Sequence, residues 1–218
     1  MRTYTTTQLI AKEGWNHCLV ILMITLIAYA IGFLPWLFFL LFIATLFVYR
    51  NPERLVREED ENALVSPVDG RVSAISKVHA SDGQEWLRVV IQKNISDVGI
   101  IRAPIAMHVI ESKKRFGLPL VSTSPLAKSL REKVVLTCKG KEVLIKMVFY
   151  TGQWSQKIDI FDKVGYLKAG ERFAFLQEGE VVLLLPLDTR IKVVLNDSVK
   201  AAQSVLGYLS YKANDESK

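Results

Sequence analysis

The chain has 218 residues and a formal net charge of +6, from 28 Lys and Arg residues against 22 Asp and Glu residues. This length allows one modest domain plus an anchor. Basic and acidic residues are interleaved after residue 50 and form no Lys/Arg block, which argues against nucleic acid as a partner. The two cysteines, Cys18 and Cys138, stand in no CxxC or Cys/His spacing, so the sequence predicts neither a disulfide framework nor a metal site.

An N-terminal apolar stretch is the first predicted element. Residues 18–49 carry no charge, and one helix over these 32 positions would be about 48 Å long, against about 30 Å for a bilayer core. Residues 32–35, Gly-Phe-Leu-Pro, divide the stretch into two arms of 14 residues. We therefore expect a membrane hairpin with both ends on one side; a single tilted span with an interfacial piece is the alternative.

Cations flank both ends of this apolar stretch. They are Arg2, Lys12, Arg50, Arg54 and Arg57. Because positive flanks prefer the cytoplasmic side, we expect a membrane protein whose soluble domain faces the cytoplasm.

The rest of the chain consists of short runs rich in Val and Ile, separated by turn residues. Typical runs are residues 86–91, 142–148 and 181–185. Runs of this length predict strands, and no helix pattern longer than about three turns follows the anchor. We expect a mainly β fold, an antiparallel sandwich or barrel-like domain on an N-terminal helical hairpin. The predicted boundaries are 1–50 for the N-terminal segment and hairpin, 51–63 for a charged, solvated linker, 64–210 for the β-rich domain and 211–218 for a polar tail.

Four short motifs occur in order along the chain. They are Tyr49-Arg50-Asn51-Pro52-Glu53-Arg54, Ser66-Pro67-Val68-Asp69-Gly70-Arg71-Val72, Arg102-Ala103-Pro104 and Lys168-Ala169-Gly170-Glu171-Arg172-Phe173. Each motif alone is weak. In this order and behind an apolar hairpin, they resemble the short, membrane-anchored phosphatidylserine decarboxylases over most of the chain.

The resemblance implies a particular chemistry. Members of that family cut their own chain within a Gly-Ser pair and turn the Ser into a pyruvoyl group, whose carbonyl accepts electrons when the substrate loses CO2. The cut needs the Ser oxygen as nucleophile and a His/Asp pair that moves its proton. By the motif match, the Asp is Asp69, the His position is Gly99 and the Gly-Ser pair is Gly179-Glu180. The match also makes Arg102 a candidate substrate-binding residue.

Two of the three reactive groups are therefore absent from the sequence. A Glu carboxylate has no hydroxyl on Cβ to eliminate, so Glu180 cannot become a pyruvoyl group, and the chain contains no Gly-Ser dipeptide. His108 lies six residues after Gly99, roughly 20 Å along a strand, which is too far to replace the missing His. We accordingly expect no pyruvoyl cofactor, an ordinary turn at Gly179-Glu180 and a turn at Asp69.

Three functional hypotheses follow. The first is a membrane-anchored pseudoenzyme of phospholipid metabolism that binds membrane phospholipid, with aminophospholipids as candidate ligands, and works with a lipid-enzyme partner or as a homo-oligomer. The second is an active phosphatidylserine decarboxylase that makes phosphatidylethanolamine by a diverged site. The third is a biotinyl- or lipoyl-like interaction module, by analogy with residues 164–171, where the Lys expected of such modules is missing.

Overall fold

The computed structural model describes residues 9–56, 58, 60–79, 83–117, 124–140, 143–155, 157–161 and 165–210. The predicted polar tail and two of the flanking cations, Arg2 and Arg57, lie outside these residues. Within them, a pair of N-terminal helices precedes a body of β-strands.

The apolar stretch forms a helical hairpin. Its elements are a 3-10 turn at Lys12–Gly14, helix α1 at Trp15–Ile31 and helix α2 at Pro35–Val48. Helix α1 ends because Gly32 takes a φ of +73°, which a glycine adopts without steric cost. Pro35 fits the first turn of α2 because no N–H donor is needed there. The predicted break between the two arms is therefore confirmed.

The two helices pack side by side, and the ends of the hairpin meet. Thr25 Oγ1 lies 3.2 Å from the carbonyl oxygen of Phe38 and donates a hydrogen bond across the pair. At the open end, Ala11 N donates to Tyr49 O at 2.8 Å. The chain therefore leaves the hairpin next to the point where it entered.

Most large apolar side chains of both helices are exposed. Among the described residues, Lys12–Ile31 is the one helical segment long and apolar enough to cross a membrane, and Pro35–Val48 is shorter. By length and composition alone, this is consistent with membrane association.

Fourteen strands are described, and a short helix, α3 at Pro125–Leu130, lies between the fifth and sixth. The strands are β1 Ala63–Val65, β2 Gly70–His79, β3 Glu85–Lys93, β4 Ile100–Arg102, β5 Met107–Arg115, β6 Lys133–Gly140, β7 Val143–Thr151, β8 Asp159–Ile160, β9 Tyr166–Leu167, β10 Arg172–Phe175, β11 Gly179–Leu185, β12 Arg190–Ile191, β13 Ser198–Val199 and β14 Val205–Tyr208.

The body is built around one eight-stranded antiparallel sheet with the strand order β13-β2-β3-β11-β7-β6-β5-β9. Two three-stranded antiparallel sheets, β1-β14-β12 and β4-β10-β8, complete it. The prediction of a mainly β, antiparallel domain on a helical hairpin is confirmed.

Strand β11 shows how the large sheet separates its two faces. Val181, Leu183 and Leu185 are fully buried in the main core, whereas Val182 packs on the opposite face with Val90 and its neighbours. This alternation is the period of a strand whose successive side chains point to opposite faces.

Candidate functional site

The base of the helical hairpin packs on the body through stacked rings. Tyr49, the residue after α2, stacks on Phe175 of β10 with ring centroids 6.0 Å apart and on His17 of α1 at 5.4 Å. Gly14 permits this packing, because a Cβ at that position would lie 2.3 Å from the Tyr49 ring. The hairpin is therefore fixed to the strand that leads towards Gly179.

Gly99, the position of the family His, lies against the Phe175 ring. A Cβ added to Gly99 would lie 2.3 Å from Cε2 and 2.6 Å from Cζ of that ring, where ordinary contacts are 3.4–4 Å. The neighbouring backbone is also tied down, since Leu176 N donates to Gly99 O at 2.9 Å. A histidine side chain therefore has no room at position 99 unless Phe175 moves.

Asp69, the retained acidic residue, is buried in an ion pair with Arg54. The two Nη atoms of Arg54 donate to the two carboxylate oxygens, with Nη2 2.7 Å from Oδ2, and Ala201 N donates to Oδ1 at 2.8 Å. Burial alone would raise the pKa of Asp69, but these hydrogen bonds outweigh it and hold the pKa below its ordinary value. Because its oxygens are occupied in this way, the carboxylate is a weak proton acceptor.

The chain bends at residues 67–69, as expected for Asp69, and Gly70 begins β2. The Asp69 side chain also holds a buried ion pair, which was not expected. The segment predicted as a solvated linker supplies the partner, and its residue Asn51 is buried as well. The sequence does not predict this contact because Arg54 and Asp69 are 15 positions apart, the first in a charged stretch and the second in a turn motif.

Gly179 and Glu180 begin β11 in the middle of the large sheet. Gly179 is paired with Lys93 of β3 on one side and with Thr151 of β7 on the other, and Glu180 is likewise paired on both sides. The predicted turn at this dipeptide is therefore wrong, because the bend immediately precedes it. Gly179 has a φ of +150°, and a Cβ there would lie 2.0 Å from Tyr150 O, so the position requires glycine.

The Glu180 side chain belongs to the outer face of the sheet. Strand alternation puts it with Val182 and Leu184, opposite the core. The register places it at the centre of a row across five strands, Arg71, Gln92, Glu180, Tyr150 and Lys133. A carboxylate in a row that ends in a cation on each side fits this surface as a structural residue.

Lys93 is a charged residue that the sequence analysis did not single out. It is fully buried, and its Nζ donates to Gln177 O at 2.8 Å, Asp97 O at 3.0 Å and Asn94 O at 3.3 Å. Burial lowers the pKa of its ammonium to about 8. These hydrogen bonds connect the loop that precedes Gly99 with the bend that precedes Gly179.

A signal for Lys93 was present in the sequence. Val89, Ile91 and Lys93 alternate along β3, and the first two are fully buried. A lysine in phase with two core residues has to enter the interior, where it needs oxygen partners. The partners themselves come from loops that the periodicity does not describe.

Arg102, the candidate substrate-binding residue, is buried and donates to the backbone. Its Nη1 lies 3.0 Å from Gly170 O and its Nη2 lies 3.0 Å from Pro52 O. Burial, followed by the neighbouring Arg172 directly opposite on β10, lowers the pKa of its guanidinium to about 10. These two hydrogen bonds therefore hold Pro52, in the segment after the hairpin, against the body.

The side chains at the family positions do not fit a pyruvoyl group. Glu180 has no Cβ hydroxyl and faces the outer side of the sheet, and the space for a side chain at Gly99 is filled by Phe175. Asp69 is occupied by Arg54. Within the described part of the chain, no group of three or more His, Cys, Asp or Glu side chains could hold a metal ion.

Comparison with known proteins gives the relatives of this fold. A model of the phosphatidylserine decarboxylase family matches residues 41–207, a range that contains all four sequence motifs. No solved structure matches the chain.

Curated relatives match at nearly full length. The phosphatidylserine decarboxylase proenzyme of Ralstonia nicotianae is 32% identical over 209 residues, and that of Burkholderia multivorans is 28% identical over 209 residues. The proenzyme of a Geobacter species is 30% identical over 214 residues. Each alignment covers 92% of this chain and 96% of the relative. With the matched fold, motifs and length, the chain belongs to the phosphatidylserine decarboxylase family.

Proposed function

We propose that this chain is a membrane-associated protein of phospholipid metabolism that keeps the family fold but makes no pyruvoyl group. The observation that carries the proposal is the place of Glu180, which is paired on both sides in a central strand with its side chain on the outer face of the sheet. A self-cleaving site needs a hydroxyl nucleophile beside the scissile carbonyl, and Glu180 offers a carboxylate on the outer face of the sheet.

The packing at Gly99 supports the same proposal independently. Removal of a histidine side chain from a packed interior would leave a cavity, whereas here the Phe175 ring fills the space. The same ring stacks on Tyr49, so the space beside Gly99 is part of the packing between the body and the hairpin.

An active phosphatidylserine decarboxylase is the second candidate. The names of the curated relatives favour it over the pseudoenzyme, because all of those described above are called phosphatidylserine decarboxylase proenzymes. An active protein would need an electron sink other than a pyruvoyl derived from position 180. The family match also spans residues 164–171, which leaves the biotinyl- or lipoyl-like alternative without separate support.

Intact mass and a decarboxylation assay decide between the two candidates. The full chain purified in detergent should run as a single species near 24.6 kDa on a denaturing gel and release no CO2 from phosphatidylserine in mixed micelles. Two fragments split near Gly179, or CO2 release above that of a heat-inactivated sample, would contradict the proposal. The variant Glu180→Ser is the matched test of the missing His: it restores the nucleophile alone and should also remain uncleaved.

The membrane assignment is part of the proposal. The hairpin enters the bilayer from one side, the soluble domain of residues 64–210 faces the cytoplasm, and the ligand is a membrane phospholipid, with aminophospholipids first among the candidates. The closed ends of the hairpin and its exposed apolar surface support this placement. Residues 51–63 would connect the two parts, and a lipid-enzyme partner or a second copy of the chain would complete the function.

Alkaline extraction and lipid analysis test this assignment. The chain should stay with the membrane pellet at high pH, and a protease added outside sealed cells should leave the body intact. Lipids extracted from the purified protein should be enriched in aminophospholipid over the bulk membrane. Release at high pH would contradict insertion, cleavage of the body from outside would contradict the cytoplasmic orientation, and a bulk lipid composition would contradict selective binding.

A further inference from the structure

Trp154 is an exposed aromatic residue on an anchored loop. Its side chain is 66% exposed, although Thr151 and Ser155 beside it are buried. The loop is held by Glu178: Gly152 N donates to Glu178 O at 2.8 Å, and Trp154 N donates to Glu178 Oε2 at 2.6 Å. The indole is therefore presented to the outside from a fixed backbone.

This loop lies at the base of the helical hairpin. Gln177, next to the anchoring Glu178, makes a side-chain hydrogen bond with Tyr49, the residue that ends the hairpin. Phe161, directly after β8, packs on the cluster that contains Tyr49 and Phe175. Trp154 is thus joined to the hairpin base through a short chain of contacts.

The same end of the molecule exposes further apolar and cationic groups. Leu9 and Trp15, on either side of the first turn of the hairpin, are 88% and 45% exposed. Lys12 is exposed between them, whereas the exposed Lys157 is already paired with Asp159, whose Oδ2 lies 2.9 Å from Nζ. Exposed Trp beside Lys is the composition of a membrane–water interface, where the indole N–H reaches water while the ring contacts lipid.

We propose that Trp154 is a second membrane contact, which inserts into the headgroup region of the leaflet that the hairpin enters. The inference rests on the proposed membrane insertion and extends it, because it fixes how the body sits on the lipid surface. The loop of Trp154 would lie against the leaflet, and the bend before Gly179 would face the lipid headgroups. Lys12 at this end would add electrostatic attraction to anionic headgroups.

Depth-dependent fluorescence quenching tests the proposal on the full chain. The protein has four Trp residues, so Trp→Phe replacements give single-Trp variants that retain Trp154, Trp36 or Trp86. Each variant is reconstituted in vesicles of anionic and zwitterionic phospholipid brominated either near the headgroup or deep in the acyl chain. Trp36, at the hairpin apex and 83% exposed, is the deep reference, and Trp86, buried in the body at 3% exposure, is the lipid-free reference.

Trp154 should be quenched more by bromines near the headgroup than by bromines deep in the acyl chain. Its emission should also shift to the blue when the protein is transferred from detergent-free buffer or denaturant into lipid. Trp36 should show the opposite depth preference, and Trp86 should be quenched by neither lipid. Quenching of Trp36 without quenching of Trp154 would overturn this proposal and leave the hairpin insertion standing. Quenching of neither would overturn both.

The variant Trp154→Phe covers the case in which replacing the buried Trp86 unfolds the body. It keeps the other three Trp residues, so the shallow quenching of the whole chain should fall by the share that Trp154 contributes. Unchanged shallow quenching in this variant would also overturn the proposal. Quenching of Trp154 as deep as that of Trp36 would exclude a headgroup position.

Discussion

Adding a single methyl group at Gly99 should destabilise the protein through Phe175. The new Cβ would lie 2.3 Å from the ring, and an ordinary contact begins at 3.4 Å, so the ring has to move by about 1 Å or more. Such a shift also disturbs its stack on Tyr49 at the hairpin base. Overpacking of this kind costs about 1–3 kcal/mol. Gly99→Ala should therefore lower the free energy of unfolding by about that amount.

The assay is urea unfolding in a mild detergent, followed by circular dichroism of the β-rich body. Phe175→Val removes the three clashing ring atoms and is the second arm of a double-mutant cycle. Alone it should cost about 3 kcal/mol as a large-to-small core change. In that background Gly99→Ala should cost nothing, because Gly99 has no positive φ that would disfavour alanine. An equal cost of Gly99→Ala in both backgrounds would refute the packing argument.

Three further predictions use the same unfolding assay. Asp69→Asn should lower the free energy of unfolding by about 3 kcal/mol at neutral pH because it leaves Arg54 buried without its carboxylate. Since the folded pKa of Asp69 is lowered, the stability that Asp69 contributes is present above the ordinary value of 3.8 and should disappear as the pH falls below it. A variant whose stability falls with acid as steeply as that of the native protein would contradict this. Lys93→Met should remove a pH-dependent contribution to stability at alkaline pH. Between the folded pKa of about 8 and the unfolded value of 10.5, residue 93 holds its proton in the unfolded chain but not in the folded one, so the free energy of unfolding of the native protein minus that of the variant should rise with pH. A difference that does not change with pH would contradict this. Gly179→Ala should cost about 1–3 kcal/mol, whereas Gly165→Ala, with nothing within 4 Å of its new Cβ, should be neutral; equal effects would contradict the close approach to Tyr150 O.

The hairpin and the β-rich body could be predicted because local patterns carry them. The uncharged arms on either side of residues 32–35 give the hairpin, and runs of Val and Ile give the strands. The order of the strands could not be read in this way. Strand β11 lies between β3 and β7, and pairing across such separations depends on the whole core rather than on any local run.

The candidate site shows the same limit at the level of single residues. Gly179-Glu180 resembles a turn because Gly and a charged residue are common in turns, yet the dipeptide is paired on both sides in a central strand. Gly99 could be matched to the family pattern, but the Phe175 ring that fills its side-chain space comes from β10, a neighbouring strand that is far away in sequence. The pairing of Arg54 with Asp69 could not be predicted either, because Arg54 is one of several charged residues in 51–63 and its partner lies in another segment.

The position of residue 180 within the central strand β11 has a consequence for how the protein assembles. A cut before residue 180 would leave residues 180–218 as a separate chain, held in the sheet by its pairing with β3 and β7. Refolding would then require two molecules to meet, and stability would depend on protein concentration. If the chain stays uncut, as proposed, folding remains a reaction of one molecule, and both halves of the sheet return together after every unfolding event.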